Sequence, residues 1–185
     1  MKHVGDDLRG FNKIVNIIET LLCCSADSAN IRLNDSCKKI IKSRYLCKQN
    51  NKGYEKNASA HVCIIHTRKE CISVGINHSP IGGSTFSKHA EVDAICRLLQ
   101  RPNRIPQNLR LLVLRFTKTG GINCSTPCHR CSRFIEKRLS MFHTVAFTSI
   151  DGSVVVILAD SFDSNMFNHV SRRFRLKEET LLKKT

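Results

Sequence analysis

The sequence predicts an α/β fold in three layers, with a mixed five-stranded sheet flanked by helices. Three observations carry this. Past residue 30 the periodicity reads helix, two strands, helix, strand, helix, two strands. The stretch "LLVLRF" at 111–116 is almost continuously apolar, as a strand covered on both faces must be. Asp151-Gly152 lies between two β-branched runs and marks a tight hairpin.

Each element has its own signal. Residues 11–24 place Ile14, Ile17, Ile18, Leu21 and Leu22 at helical spacing. A polar break follows at 25–30. Asn34 or Asp35 can cap a second helix, with Cys37, Ile40, Ile41 and Tyr45 on one face and Lys38, Lys39, Lys42 and Lys48 on the other. Residues 49–59 read as a polar loop. "HVCIIHT" and "CISVGIN" read as paired strands around Arg68–Glu70. "SPIGGST" is a loop. From His89 to about Gln100, Val92, Ile95, Leu98 and Leu99 share a helical face, and Pro102 lies just beyond. "TKTGGINCST" reads as a loop. A helix is expected from about Pro127, with Cys131, Phe134, Ile135 and Leu139 inward. "TVAFTS" and "SVVVILA" are the last two strands. "SRRFRLKEETLLKK" reads as a helix or a solvated tail.

The bulk numbers narrow the class. A chain of 185 residues suits one domain with a real core. No apolar run reaches the roughly 18 residues of a membrane helix. The stretch 14–24 carries Glu19 and follows Asp6 and Asp7, unlike a basic-led secretory signal. The ten cysteines, two of them adjacent at 23–24, fit a reducing intracellular compartment and small buried side chains better than a disulfide framework. The formal net charge of +15 attracts polyanions, nucleic acid foremost, although a basic surface also serves solubility. With no Trp and two Tyr, base stacking would fall to Phe, His or Arg.

Two stretches concentrate chemistry. "SKHAEVDAI" spans 87–95 and "TPCHRC" spans 126–131, and 36 residues separate Glu91 from Cys128. Both sit where a helix begins. Cys128 and Cys131, three apart, place two sulfurs on one side of a first turn, where unpaired N–H groups favour thiolate. Pro127 fits that first turn without losing a hydrogen bond. His89 adds a nitrogen, and two sulfurs with one nitrogen leave Zn2+ one tetrahedral position open. A water there has its pKa lowered from about 15.7 to about 7. Glu91 would stand roughly 200° round a regular helix from His89, so it is badly placed as a fourth ligand. If His89 is a cap with non-helical angles, Glu91 reaches that water and can carry its proton to a ring nitrogen and a leaving amine. Such equipment replaces an amino group with oxygen.

Other readings of these residues stand beside this one. A lone CxxC also serves redox or structural sites, and a lone HxE is commonly two surface residues. A closed set of His89, Cys124, Cys128 and Cys131 leaves no open position. His129 is a rival donor, although a neighbour of Cys128 points off the ligand face. Joint occurrence at two helix starts favours the open zinc site.

"HAE" at 89–91 with "PCHRC" at 127–131 resembles the signature of the zinc-dependent nucleobase deaminases, the cytidine and deoxycytidylate deaminase superfamily. The resemblance spans about 35–159. It implies a cytidine-deaminase-like fold, Zn2+ held by His89, Cys128 and Cys131, and Glu91 as the acid/base shuttle. It also implies that Asn77, at a strand end, binds the sugar, where the residue's other reading is a turn-former. Ala90 and Pro127 would line the base pocket through their backbones. The gap between the motifs is longer than is common in the family, and Arg115 or Lys118 near it could meet a phosphate or only solvent. Enzymes of free nucleosides often continue the second motif with Gly and Arg-Gln, where this chain has His129, Arg130 and Ser132. The Asp151-Gly152 hairpin resembles the free-nucleoside branch. The tRNA adenosine, polynucleotide cytidine and deoxycytidylate branches usually place a helix there.

The implied reaction is hydrolytic deamination of a cytosine base to uracil with release of ammonia. The hairpin favours an enclosed pyrimidine nucleoside or nucleotide. The charge favours single-stranded nucleic acid or RNA along Lys38, Lys39 and Lys42 or Arg172, Arg173 and Arg175. A nucleic-acid adenosine deaminase and a non-catalytic zinc-containing nucleic-acid-binding protein are the alternatives, and Glu91 argues against the second. Family likeness also implies a homo-oligomer. The expected organisation is an N-terminal helical extension at 1–30, a deaminase domain at 31–160 and a basic C-terminal segment at 161–185.

Overall fold

The computed structural model describes residues 12, 14–22, 33, 35, 37–42, 60–77, 88–102, 104–117 and 121–169. Residues 14–22 form helix α1 and residues 37–42 helix α2. Strands β1 (Ala60–His66) and β2 (Cys71–Ile76) follow, then α3 (Ala90–Leu99), β3 (Leu109–Phe116), β4 (Ile122–Asn123), α4 (His129–Glu136), β5 (Phe142–Thr148) and β6 (Val154–Leu158). The loops expected at 49–59 and 79–85, Lys118, and the basic end with Arg172, Arg173 and Arg175 lie outside the described residues.

The sheet order is β2-β1-β3-β5-β6. The β3–β5 pair is parallel and the remaining pairs are antiparallel, so the sheet is mixed as expected. One strand more is present than the sequence suggested. Within the stretch read as a loop, Ile122 and Asn123 pair with Phe116 and Arg115 as β4. Two residues carry no detectable alternation, so this rung is invisible to a periodicity argument. The β5–β6 hairpin turns at Asp151-Gly152, where Gly152 adopts φ +85°, a backbone that side chains with a Cβ rarely take.

Strand β3 shows why its run is nearly continuous. Leu112, Leu114 and Phe116 pack with Ile14, Ile18, Leu22, Cys37 and Ile41 of α1 and α2. Leu109, Leu111 and Val113 pack with Ala90, Ala94, Ile95, Leu98 and Ile135 of α3 and α4. Both faces are covered, which makes three layers. Residues 161–169 join the second face, with Phe162 and Phe167 buried and stacked at 5.2 Å. No helix among the described residues is long and apolar enough to cross a membrane.

Strand β2 is an edge, and α3 lies against it. Gly75 is the reason this is possible: a Cβ there would fall 2.2 Å from the Ala90 carbonyl oxygen and 2.2 Å from the Ala94 nitrogen. The approach allows Ser73 Oγ to donate to the Ala94 carbonyl at 2.8 Å. It also lets the Ile76 N–H reach Asp93 Oδ2 at 3.2 Å, which occupies a donor that the sheet leaves unpaired.

At the opposite end of the sheet, His66, Arg110 and Thr144 form a buried polar row in register across β1, β3 and β5. His66 Nδ1 donates to the Thr67 carbonyl at 2.9 Å, and Nε2 has no hydrogen-bond partner among the described residues. Burial pushes the ring down to about 4, with Arg110 reinforcing and the bond to Thr67 opposing.

Replacing Gly75 with Ala should force α3 off β2 and cost roughly 3 kcal/mol, read as a lower urea midpoint. Between about pH 6.5 and pH 4 the unfolded chain binds a proton at His66 that the folded chain refuses. The stability His66 contributes is therefore complete above about pH 6.5 and lost as pH falls, by roughly 3 kcal/mol near pH 4. His66→Gln should flatten this part of the stability–pH curve measured by urea unfolding.

Candidate metal centre

Both halves of the site are helix N-caps. His89 precedes α3 with φ −78° and ψ 156°, an extended backbone, while its carbonyl already accepts the Asp93 N–H at 2.9 Å. These are the non-helical angles that the sequence argument required for Glu91 to share a site with His89. Cys128 precedes α4 with φ −74° and ψ 161°, and its carbonyl accepts the Ser132 N–H at 2.9 Å. Pro127 therefore stands before the cap and not in the first helical turn, a correction to the expected helix start. Its ring is buried, and the φ it locks suits the extended entry to α4.

Hydrogen bonds fix each cap. On the α3 side, Asp93 takes Lys88 at 3.2 Å and Arg97 at 3.0 Å besides the Ile76 N–H. On the α4 side, Ser125 Oγ donates to the Val113 carbonyl at 2.7 Å and accepts the Thr148 N–H at 2.8 Å. Thr148 Oγ1 donates to the Asn123 carbonyl at 2.7 Å. The segment before Cys128 is thus stitched to the ends of β3 and β5. From α4 onward, Ser132 Oγ lies 2.9 Å from the His129 carbonyl it donates to, and the His129 N–H donates to His169.

These anchors bring His89, Cys128 and Cys131 together. Their ligand atoms all lie within 4.8 Å of one another. His89 Nδ1 is 3.2 Å from Cys131 Sγ and 3.5 Å from Cys128 Sγ. A tetrahedral zinc with ordinary bond lengths spaces nitrogen and sulfur vertices about 3.6 Å apart, so the donor set fits that ion in type and spacing. Cys124 is not in the group: its sulfur contacts Thr126 Oγ1 at 3.2 Å. His129 is not in it either. The closed four-ligand set considered from the sequence is not what the structure assembles.

The electrostatics are those of a shared thiolate. A hydrogen bond from Cys131 holds the Cys128 thiol down at about 4, with the His89 ring assisting and burial opposing. Cys131, the donor, is pushed up by the same bond and by burial. The bond to Cys128 raises His89, against desolvation. Glu91 is 4% exposed. Burial pushes its carboxyl above the usual carboxylate range, while its own backbone N–H and the His89 ring pull it down. Its carboxyl also hydrogen-bonds Cys131. A buried carboxyl with a raised pKa beside side chains able to hold a metal is a combination that clusters at functional sites.

Ala90 and Pro127 are buried where the two helices begin. Asn77 directly follows β2, and its Oδ1 accepts the His61 N–H at 3.0 Å, so part of its side chain extends the β1–β2 ladder. Asp93, Ser125 and Thr148 were missed by the sequence reading. Gly75 was read only as part of a strand, although an isolated glycine there signals a close backbone approach.

No family model matches the chain, and no curated relative matches its sequence. Among solved structures the chain is similar to the dCMP deaminase from the cyanophage S-TIM5 in apo form, at 14% identity, covering 80% of this chain and 85% of that one, with a TM-score of 0.37. It is also similar to the structure of that enzyme in complex with dCMP and dUMP, at 18% identity, covering 63% of this chain and 84% of that one, with a TM-score of 0.37.

Zinc content measured by plasma emission after dialysis should be one ion per chain. Cys131→Ser and His89→Ala should each weaken the ion by at least about 10-fold, because each removes one of three ligands. Cys124→Ser should leave the content unchanged, and equal loss there would restore the closed set.

Proposed function

We propose that this chain is a zinc-dependent hydrolytic deaminase that converts a cytosine base to uracil at the nucleoside or nucleotide level. The observation that carries the reading is the meeting of His89, Cys128 and Cys131 with the buried carboxyl of Glu91 beside them. His89, Cys128 and Cys131 would hold the zinc. Zinc bound there supplies the Lewis acidity that makes water nucleophilic at neutral pH. Glu91 takes the first proton of the attacking water and places it on the ring nitrogen, then takes the second from the hydroxyl now on the ring carbon and places it on the amine, which departs as ammonia. Its burial raises the carboxyl above the usual carboxylate range, which makes it a readier proton acceptor. Backbone groups of Ala90 and Pro127 flank the base, and Asn77 meets the sugar from the end of β2. A homo-oligomeric assembly in a reducing intracellular compartment belongs to the same reading.

A polynucleotide substrate is the second reading, and the net charge of +15 favours it. Lys38 carries less of that case than the sequence suggested, because it pairs with Glu19 at 3.5 Å.

Glu91→Gln should keep its zinc and lose turnover by about 100-fold or more. The assay is mass change on cytidine, deoxycytidine, their monophosphates, single-stranded DNA and tRNA. Zinc-loaded wild-type protein inactive on every substrate would instead indicate a binding protein. Activity on polymer alone, falling steeply with salt, would select the second reading.

A further inference from the structure

Outside the metal centre, two thiols from different layers are in contact. Cys37 lies on the inward face of α2 and Cys71 opens β2, and their sulfurs are 2.9 Å apart across 34 residues of sequence. A disulfide bond of about 2 Å requires them to close by only about 1 Å. Both residues are buried, at 4% and 2% exposure, and neither belongs to the metal-ligating group. Cys71 directly follows the exposed turn Arg68–Glu70 at the sheet edge.

We propose that Cys37 and Cys71 are an oxidation site, forming a reversible disulfide with a small hydroperoxide as the oxidant. Cys37 is the attacking sulfur. Its contact with Cys71, in which either sulfur could be the donor, holds its thiol below the ordinary range, burial opposes this, and the charge of Arg101 reinforces it. Arg101 is positioned for that by donating from Nη1 to the Ile72 carbonyl at 2.6 Å. Cys71 is pushed up by the same contact and by burial, and keeps its proton until the second step.

The steps balance. Cys37 sulfur attacks one oxygen of hydrogen peroxide, the O–O bond breaks, and the thiol proton leaves with the departing hydroxide as water. Cys37 is then a sulfenic acid. Cys71 sulfur attacks it, the S–O bond breaks, and the hydroxide leaves with the Cys71 proton as a second water. Two thiols have lost two electrons to one peroxide. By contrast, Cys63 faces the α3 side, where burial and the carboxylates of Glu91 and Asp93 push its thiol well up and leave it unreactive. The disulfide would tether the helical layer to the strand whose other end carries Gly75 and Ile76 against α3.

The full-length, zinc-loaded chain is treated with hydrogen peroxide, alkylated, digested without reduction and mapped by mass spectrometry. The expected product joins the Cys37 peptide to the Cys71 peptide. Thermal unfolding of that product should rise by roughly 10 °C, since the cross-link closes a loop of intermediate length. Dithiothreitol should reverse the rise, and neither Cys37→Ser nor Cys71→Ser should show it. Cys37 and Cys71 both alkylated after peroxide and denaturation would overturn the proposal, as would a dominant Cys128–Cys131 product. The wild-type map decides even where a serine variant fails to fold.

Discussion

The contact between β2 and the start of α3 governs the site. Because Gly75 has no Cβ, the first turn of α3 rests directly on the strand backbone. That closeness puts Asp93 within reach of the Ile76 N–H, and the bond fixes both the height and the rotation of the helix. His89 is the cap of the same helix, so its ring inherits the position. A bulkier residue at 75 would move three features of the candidate site together: the imidazole, the backbone at Ala90 and the Glu91 carboxyl. The second cap is held by a different device of the same kind. Ser125 and Thr148 tie the entry of α4 to the ends of β3 and β5, the two parallel strands of the sheet. The switch from antiparallel to parallel pairing at β3 is what brings those ends to one edge.

Two caps facing each other create an unusual electrostatic neighbourhood. Each helix start presents unpaired N–H groups, which favour anionic side chains at both. Cys128 answers this as a thiolate sharing a proton with Cys131. Glu91 is the second residue of its helix and buried, so desolvation outweighs its own backbone N–H and the His89 ring and leaves the carboxyl raised. The same few ångströms therefore hold a group driven towards its charge and a group driven away from it. That division sets the two side chains chemically apart. It arises because the hydrogen bond from Cys131 and the His89 ring favour the charged form of Cys128, whereas burial dominates at Glu91.

Much of this was legible locally. The span from His89 to Gln100 was read as a helix, and α3 runs from Ala90 to Leu99 with those two residues as its caps. Leu111–Phe116 was read as a buried central strand, and β3 has helices on both faces. Asp151-Gly152 was read as a hairpin because one residue there must take a positive φ. What escaped notice has a common cause. Asp93 reads as an ordinary acid in a first helical turn, and its worth comes from a strand N–H 17 residues away. Ser125 and Thr148, 23 residues apart, read as loop and strand polar residues. The sequence does not show that Phe162 and Phe167 close the core, because Phe167 stacks on Phe162 and meets Phe147 of β5, a separate element.

The sequence by itself determined the element types, the residues able to bind a metal, and the need for a cap at His89 if Glu91 was to share its site. Those are properties of spacing and side-chain chemistry, which act within a turn or two of backbone. Tertiary structure alone decided that the two motifs meet, that Cys124 stays outside the cluster, and that Cys37 touches Cys71. Each of these depends on the distance between separate elements, and no local periodicity encodes it. That distance is set by which side chains are small enough, or paired well enough, to let two backbones approach.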